Sequence, residues 1–484
     1  MIDHRLPLHY VGTGVAVLGA AMALPAAVDL WEGDPNWRAF ALAGFLSGLA
    51  GAGAALAARQ AAARPLDRRQ LFLLSSLIWP ALAVFAALPF QLGAPAARPV
   101  DAFFEAMSGL TTTGSTVFSG LQEMPAGTLL WRGMLQWIGG LGIVIVAMVF
   151  LPALRVGGNQ IFQAEGFEGV GDTIPRAKAV ASAAALTFLA LTLSCVVAYS
   201  AAGMSLFDAA VHAMTTVATG GFSNHDGSLG HYGEGAQYVA LGFMLVSGLS
   251  FPLLMGAAER GGLRSLTRDS QTRAYLVVAL GLCLAVLGTR AAAGALAGPE
   301  SMLREVAFNA VSVLTGTGYA NADYGGWGAA AVTLMFLGGL IGGCSQSTSC
   351  SIKIWRHQIL LAGIGAQMRR IQSPNAATPI RWNGRAVSED TLSSVMAFVF
   401  LFMLTLAVVA IALALMGYDA VTAVSGAATA LANVGPGLGP IIGPSGNFAP
   451  LSDEAKWLLS AAMLLGRLEL LTAFVLFTTA FWRA

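Results

Sequence analysis

Residues 101–114 read DAFFEAMSGLTTTG, and three later stretches align with them without gaps. They read DAAVHAMTTVATGG at 208–221, EVAFNAVSVLTGTG at 305–318 and TAVSGAATALANVG at 422–435. Each is a short apolar segment that ends in a turn of small residues, and its last residue is a glycine. Such glycines by themselves mark ordinary caps and turns, but four in register indicate an internal repeat.

The composition indicates that these repeats lie in a membrane. Of the 484 residues, 56% are hydrophobic and only 11% are charged, with a mean hydropathy of +0.69. These values exclude a set of soluble domains. Because 26 Lys and Arg nearly balance 25 Asp and Glu, no basic field favours nucleic acid. We therefore expect the lipid bilayer, and no nucleic acid, as a partner.

Ten apolar runs have the ~20 residues that a transmembrane helix needs, which predicts an all-α membrane protein with about ten crossings. The runs are 11–29, 39–58, 71–91, 128–152, 179–200, 237–257, 274–293, 329–364, 393–416 and 455–482. With both termini in the cytoplasm, most basic residues fall inside, as the positive-inside rule requires. These residues include Arg264, Arg268, Arg273, Lys353, Arg356, Arg369 and Arg370.

The four aligned stretches fall on the outer side, between consecutive helices. Non-helical backbone at membrane depth must line a water-filled path or be buried in protein, so the stretches predict four re-entrant pore loops around a pseudo-fourfold pore. Each short helix would point its negative end at the axis, which favours a cation. The predicted units are an N-terminal helix pair at 1–69 and pore-loop repeats at 70–155, 156–260, 261–370 and 371–484. His212, His225 and His231 are expected to add polarity to outer loops; a pH sensor is the alternative.

These motifs resemble the Trk/Ktr/HKT superfamily of cation transporters, most closely its TrkH/TrkG-type subunits of bacterial potassium uptake. The resemblance covers essentially the whole chain and includes QWIGGLGIVIVA at 136–147, TGGFSNHDGS at 219–228, GGCSQSTSCSIKIWR at 342–356, ANVGPGLG at 432–439 and GRLELLT at 466–472. It implies K⁺ as the transported ion, with no organic cofactor. It also implies a homodimer in the bacterial inner membrane and a cytosolic, nucleotide-binding, TrkA-like regulatory partner.

The resemblance also implies which residues form a K⁺-selective filter, through backbone carbonyls that replace the water around the ion. The four walls would be Thr111, Thr112, Thr113 and Gly114; Ala218, Thr219, Gly220 and Gly221; Thr315, Gly316, Thr317 and Gly318; and Ala432, Asn433, Val434 and Gly435. Only the final glycine is common to all four.

The run at 329–364 is too long for one crossing and is interrupted by small and polar residues, which predicts a broken helix. The resemblance implies that the interruption is an intramembrane gate, here formed by Gly338, Gly339, Gly342, Gly343, Ser345, Gln346, Ser347 and Thr348. In the family this loop is typically glycine-rich, whereas Gln346, Ser349, Cys350 and Ser351 stand here where glycines are usual. The loop is therefore expected to be stiffer. A plain serine-lined kink is the alternative.

Arg467 falls near the middle of the last predicted span, where a charge is costly and usually faces the protein interior. We expect it to contact the gate or face the pore below the filter as an electrostatic barrier; an arginine satisfied by carbonyls of the fourth pore helix is the alternative. Glu469 lies on another helical face and is not expected to be its partner.

No motif for a nucleophile, a metal cluster or a phosphate site emerges, so the chain is not expected to be an enzyme. A sodium-permeable or mixed Na⁺/K⁺ transporter is the main alternative, with an intramembrane enzyme or a structural scaffold as less favoured classes. The sequence leaves open whether H⁺ or Na⁺ movement is coupled to that of K⁺.

Overall fold

The computed structural model describes residues 3–60, 66–150, 154, 157–162, 173–260, 262, 264–294, 298–374 and 379–483. These residues are mostly helical, and the strands among them form one short antiparallel hairpin. The end of the predicted span 128–152 and the predicted boundary between 155 and 156 lie outside the described residues. The prediction of an all-α membrane protein is confirmed.

Three helices precede the first repeat: α1 (Arg5–Ala21), α2 (Ala23–Glu32) and α3 (Trp37–Ala57). α1 and α3 pack closely because small residues face each other at their contact. A Cβ added at Gly12 would lie 2.7 Å from the Gly51 carbonyl oxygen, and one added at Gly19 would lie 2.8 Å from the Gly44 carbonyl oxygen. Such contacts between glycines hold membrane helices together by close packing.

The first two repeats contain eight helices among the described residues. The first repeat has α4 (Arg68–Ala86), α5 (Leu88–Leu92), α6 (Pro99–Leu110) and α7 (Ala126–Ile145), which continues into a π-helical turn, Val146–Phe150. The second has α8 (Thr173–Ala201), α9 (Leu206–Val217), α10 (Glu234–Ser247) and α11 (Phe251–Arg260). α6 and α9 are the short pore helices, and both end at a small-residue turn.

The last two repeats follow the same plan. The third has α12 (Arg264–Arg268), α13 (Ser270–Ala292), α14 (Pro299–Thr315), α15 (Ala329–Ile341) and α16 (Ile354–Gln372). The fourth begins with the hairpin β1 (Arg381–Trp382) and β2 (Arg385–Ala386), with Arg381 opposite Ala386. It continues with α17 (Glu389–Leu415), α18 (Ala420–Ala432), α19 (Gly439–Ile442), α20 (Asp453–Arg467), α21 (Leu471–Phe474) and α22 (Thr479–Arg483). α14 and α18 are the pore helices. Short 3₁₀ turns occupy Leu121–Glu123, Asn159–Phe162, Ser228–His231, Tyr324–Gly326 and Val475–Phe477.

The number of continuous crossings is smaller than predicted. Seven described helices or helix pairs are long and apolar enough to span a membrane, and nine if two bent pairs are counted. The predicted spans 237–257 and 455–482 were wrong as straight helices, because the chain turns by 100° between α10 and α11 and by 104° after α20. The predicted break in 329–364 separates α15 from α16.

One bend occurs where the backbone bonds to another repeat instead of continuing its helix, and the other occurs at a residue with a left-handed conformation. The Gly248 carbonyl, at the end of α10, accepts from the Cys344 amide at 2.9 Å, and the Phe251 amide donates to the Gln346 carbonyl at 3.0 Å. After α20, Glu469 has φ +57°, a left-handed conformation that interrupts a helix. A hydropathy profile detects the length of an apolar run, but it detects neither a hydrogen bond to another repeat nor a left-handed residue.

The outer surfaces of the long helices are apolar and exposed. Leu186, Val197, Leu280, Phe400 and Val408 each expose more than half of their surface. A soluble protein rarely carries such continuous apolar surface, whereas lipid tails cover it without penalty. The protein is therefore embedded in a membrane, with its pore helices enclosed by the long ones.

Candidate functional site

The turns after the four pore helices share one backbone conformation. Thr112, Thr219, Gly316 and Asn433 stand at the same place in their repeats and have φ of 51°, 50°, 74° and 52°. Two residues later, Gly114, Gly221, Gly318 and Gly435 have φ of 87°, 77°, 81° and 106°. Three of the first set are not glycine, and each side chain that adopts this conformation costs about 1–2 kcal/mol. The same conformation in every repeat, adopted in three of them by a residue with a side chain, indicates that the site requires it.

The same hydrogen bond also recurs in each turn, from the amide before the glycine to a carbonyl five residues earlier. The four bonds are Thr113 to Ser108 at 2.9 Å, Gly220 to Thr215 at 2.8 Å, Thr317 to Ser312 at 2.9 Å and Val434 to Thr429 at 3.1 Å.

The four glycines meet in a closed ring. A Cβ added at Gly114 would overlap the Gly220 carbonyl oxygen of the second repeat. Added at Gly221 it would overlap the Thr317 oxygen, and at Gly318 the Val434 oxygen. At Gly435 it would lie 3.0 Å from the Thr113 oxygen, which returns to the first repeat. The last two residues of the four predicted walls thus lie together, with the glycine of each wall against a carbonyl oxygen of a neighbouring wall.

Several side-chain oxygens of the predicted wall residues have no hydrogen-bond partner among the described residues. The Thr112 and Thr219 hydroxyls and the Asn433 Oδ1 are of this kind, and all three residues are fully buried. Asn433 donates through Nδ2 to the Thr113 hydroxyl at 2.8 Å, so the fourth wall is joined to the first. Oxygen atoms without partners are the ligands that a partly dehydrated alkali cation needs.

A polar cavity of about 310 Å³ opens above the ring. It is lined by all four ring glycines and by Ser223, His225, Asp226 and Asn447. The Asp226 carboxylate accepts from the Gly120 amide at 2.7 Å. The His225 ring stacks on that of His231 with centroids 3.4 Å apart. Partial burial, followed by electrostatic repulsion from His231, lowers the pKa of His225 below its ordinary value.

The expectation that His212 adds polarity to an outer loop is wrong. Its side chain is fully buried in α9, where Nε2 lies 2.9 Å from the Ser223 hydroxyl. His212 is therefore part of the packing behind the ring. His225 and His231 do lie in the outer loop that follows it.

The break between α15 and α16 forms a loop directly below the ring, residues 342–353. The Ser349 hydroxyl donates to the Thr315 carbonyl at the end of the third pore helix, at 2.7 Å. A Cβ added at Gly316 would lie 3.8 Å from the Cys350 amide nitrogen. Ser345, Ser347 and Thr348 are buried here, while Gly338 and Gly339 lie in α15 before the loop. The loop thus lies against the third wall, where the third pore helix ends.

Arg467, at the end of α20, contacts this loop. Its Nη1 donates to the Thr348 carbonyl at 3.3 Å and touches the Cys350 sulfur. The residue is only 4% exposed, and its Nε and Nη2 have no hydrogen-bond partner among the described residues. The alternative, a guanidinium satisfied by the fourth pore helix, is not the observed arrangement.

Lys353 and Arg356 were expected in a solvated inner loop, and that expectation is wrong. Both are buried, because the loop folds back into the protein before α16 begins. Arg356 forms an ion pair with Glu469 and donates to the Ile352 carbonyl at 3.1 Å. Three cations and one carboxylate therefore lie near the loop. Of the three cations, only Arg467 was expected at the gate, because Lys353 and Arg356 were assigned to the inner side, where the positive-inside rule explains them. Glu469 was noted, but its pairing with Arg356 was not predicted.

Among the described residues, no group of three or more His, Cys, Asp or Glu side chains could hold a metal ion. The polar atoms that converge belong instead to backbone and hydroxyl groups of the ring. Such an arrangement can bind a cation weakly and release it.

Comparison with known proteins agrees with this geometry. The model of a family described as "TrkH: Cation transport protein" matches residues 38–483. The Trk system potassium uptake protein TrkI of Halomonas elongata is 43% identical over 96% of this chain and 94% of its own length. The Trk system potassium uptake protein TrkH of Escherichia coli K12 is 34% identical over 98% of both chains.

A solved structure is similar over the whole fold. The crystal structure of the potassium transporter TrkH from Vibrio parahaemolyticus superposes with a TM-score of 0.92, covers 100% of both chains and is 32% identical.

Proposed function

This chain belongs to the TrkH family of cation transport proteins, and from that premise we propose that it is the K⁺-translocating, channel-like subunit of a bacterial Trk-type uptake system. K⁺ enters from the outer cavity, exchanges water for the carbonyls of the ring and leaves past the loop at 342–353. The family is one of cation transporters, which argues against the intramembrane enzyme and the scaffold.

The observation that carries this proposal is the closed ring of four glycines and four carbonyl oxygens. Each glycine leaves no room for a side chain between neighbouring walls. The Thr113, Gly220, Thr317 and Val434 carbonyls can therefore approach one axis at a common level. A ring of carbonyl dipoles of fixed spacing compensates the dehydration of K⁺ better than that of the smaller Na⁺.

The loop at 342–353 is proposed to be the gate. Its contact with the end of the third pore helix supports this proposal, and Arg467 places a positive charge beside it. A buried guanidinium with unused donors repels a cation in a medium of low dielectric constant. Movement of the loop, together with Arg467, would open the path.

The protein is proposed to work as a homodimer in the bacterial inner membrane, with both termini in the cytoplasm. Its relatives are named as parts of a "Trk system", and this supports dependence on a further subunit. A cytosolic, TrkA-like, nucleotide-binding partner is the proposed regulator. Exposed basic residues at the inner end of α16, Arg369 and Arg370, are suited to such a contact.

The test is uptake of ⁸⁶Rb⁺ into liposomes that contain the purified protein, with K⁺ and Na⁺ as competitors. Gly318→Ser is the informative variant, because its Cβ would overlap the Val434 carbonyl oxygen and displace one wall. In the parent protein we expect K⁺ to compete well and Na⁺ poorly. In the variant, the ratio of the Na⁺ and K⁺ concentrations that halve ⁸⁶Rb⁺ uptake should fall about tenfold or more.

Gly328→Ser is the matched control. Gly328 also has a left-handed φ, +93°, but nothing lies within 4 Å of an added Cβ. The Gly328→Ser variant therefore shows the effect of backbone strain alone, without displacement of the ring. Equal competition by Na⁺ and K⁺ in the parent protein would favour the sodium-permeable alternative. Unchanged selectivity in Gly318→Ser would contradict the proposed filter.

A further inference from the structure

A buried ion pair lies just behind the outer end of the ring. Arg132, on α7, and Glu105, on the first pore helix, are 2.8 Å apart, and their side chains are 2% and 0% exposed. The Glu105 carboxylate also accepts from the Thr116 hydroxyl at 2.9 Å and from the Val117 amide at 2.9 Å. The pair therefore fixes the segment that leaves Gly114 against its own pore helix.

Arg132 reaches the second wall as well. Its Nη1 donates to the Ser223 carbonyl at 2.7 Å, and its guanidinium lies 4.2 Å from the centroid of the Phe222 ring. Gln136, one helical turn further along α7, donates to the Gly220 carbonyl at 2.6 Å and accepts from the Phe222 amide at 3.0 Å. One face of α7 thus holds the second wall against the first, where Gly114 abuts the Gly220 oxygen.

We propose that Arg132 and Glu105 are positioning residues that determine cation specificity by fixing the separation of the first two filter walls. The inference rests on the proposed function of the ring as a K⁺ filter. Desolvation offsets most of the attraction in a buried ion pair, so such a pair contributes little net stability. The pair instead fixes positions. The Arg132 guanidinium binds both the segment that follows Gly114 and the segment that follows Gly221, through a rigid planar set of donors that a lysine ammonium group lacks.

The other repeats show that this constraint is uneven around the ring. The residues that match Glu105 are His212, Asn309 and Gly426. His212 bonds to Ser223, and Asn309 donates to Asn321 at 2.5 Å, so the second and third walls have neutral struts. At Gly426 an added Cβ would lie 3.1 Å from the Ile442 side chain, and that wall has no polar strut from this position. The charged pair of Arg132 and Glu105 therefore supports the contact between the first and second walls, and the other walls have no equivalent charged pair at this position.

The experiment measures the ratio of the Na⁺ and K⁺ concentrations that halve ⁸⁶Rb⁺ uptake into proteoliposomes. Glu105→Gln keeps the shape of the side chain but removes its charge, and Arg132→Gln removes the cation. We expect the ratio to fall about tenfold in both. Arg132→Lys keeps the charge but loses the planar set of donors, so it should pair with Glu105 without holding Ser223, and the ratio should fall less.

Arg290→Gln is the matched control. Arg290 also forms an ion pair, with Glu305 at 2.9 Å, and packs on Trp327, but it lies away from the ring. Its variant should keep the parent ratio even if its thermal stability falls. If Arg132→Gln does not fold, Glu105→Gln and Arg132→Lys still test the inference.

The outcomes separate this inference from the proposed function. A parent protein that selects K⁺, together with a folded Glu105→Gln or Arg132→Lys variant that keeps the parent ratio, would overturn the inference alone. A parent protein without selective flux would overturn the proposed function and the inference with it.

Discussion

Arg467 has more hydrogen-bond donors than the described residues around it use. The guanidinium has five N–H donors, yet only Nη1 has partners, the Thr348 carbonyl and the Cys350 sulfur. A buried cation without a carboxylate partner is normally expensive. Its retention beside the loop is explained if its charge acts on the permeating ion.

Arg467→Gln should therefore raise basal ⁸⁶Rb⁺ flux through the protein alone. Glutamine can still donate to the Thr348 carbonyl, but it removes the charge that opposes a cation below the ring. An increase of about tenfold corresponds to removal of about 1.4 kcal/mol from the barrier. Flux at several membrane potentials is the measurement, with Arg290→Gln as the control for loss of a remote arginine. Flux equal to that of the parent protein would contradict the barrier.

The sequence identified some of these residues for a physical reason and missed others for another. Arg467 was detectable because a charge inside an apolar run is conspicuous. Arg132 was not identified, because it lies near the start of its predicted span, where a charge is common. Its partner Glu105 is in a different element, and only the fold brings the two together. The pairing of Arg356 with Glu469 joins residues over a hundred positions apart. Such contacts carry no local pattern.

At the scale of elements, the loop at 342–353 contains side chains where its backbone favours glycine. Gln346, Ser351 and Lys353 have φ of 56°, 70° and 75°. Each adopts the left-handed region at a cost of about 1–2 kcal/mol. The sequence predicted a stiffer loop from its missing glycines; the backbone adds that the observed conformation is also strained at these positions.

Ser351→Gly should stabilise the observed loop relative to Ser351→Ala. Both variants remove a hydroxyl that has no hydrogen-bond partner among the described residues, but only glycine also removes the left-handed strain. We expect a difference of about 1 kcal/mol in favour of glycine, seen as a higher midpoint of thermal unfolding in detergent. Because this conformation is that of the proposed gate against the third wall, basal flux should also be lower in the glycine variant. Identical midpoints for the two variants would show that φ at this position stores no strain.

Secondary structure was predictable where length and hydropathy decide it. The pore helices followed from the repeat, and the break between α15 and α16 followed from an apolar run longer than a membrane is thick. The turn after α10 was missed because it depends on a bond to another repeat, that of Phe251 to Gln346. The turn after α20 was missed because it depends on the left-handed conformation of Glu469, which composition does not reveal. An apolar helix that bends inside the protein has the same composition as one that crosses straight.

For the whole molecule, closure of the ring requires every repeat to hold its place relative to the others. The N-terminal helices stand outside the repeats but are attached to the first one through buried polar contacts. Asp29, on α2, accepts from the Gly127 amide at 2.5 Å and from Asn36 at 2.8 Å. Asn36 in turn accepts from the Ala94 amide at 2.8 Å. Asp29 thus satisfies an amide at the start of α7, the helix that carries Arg132 and Gln136.

Asp29→Ala should loosen this attachment. It leaves the Gly127 amide without an acceptor in a buried site, at a cost of about 1–3 kcal/mol, and leaves the Asn36 side-chain amide with only the Thr128 hydroxyl, at 3.3 Å. A lower midpoint of thermal unfolding is expected. Glu32→Ala is the control, because Glu32 is exposed on the same helix and its loss should leave the midpoint unchanged.

Since α7 begins at this contact, the Na⁺/K⁺ competition ratio of Asp29→Ala also shows how far a disturbance travels towards the ring. A ratio like that of the parent, with a lower midpoint, would mean that Arg132 and Gln136 hold the walls without support from the N-terminal helices. Equal midpoints for the two variants would contradict the structural role of Asp29.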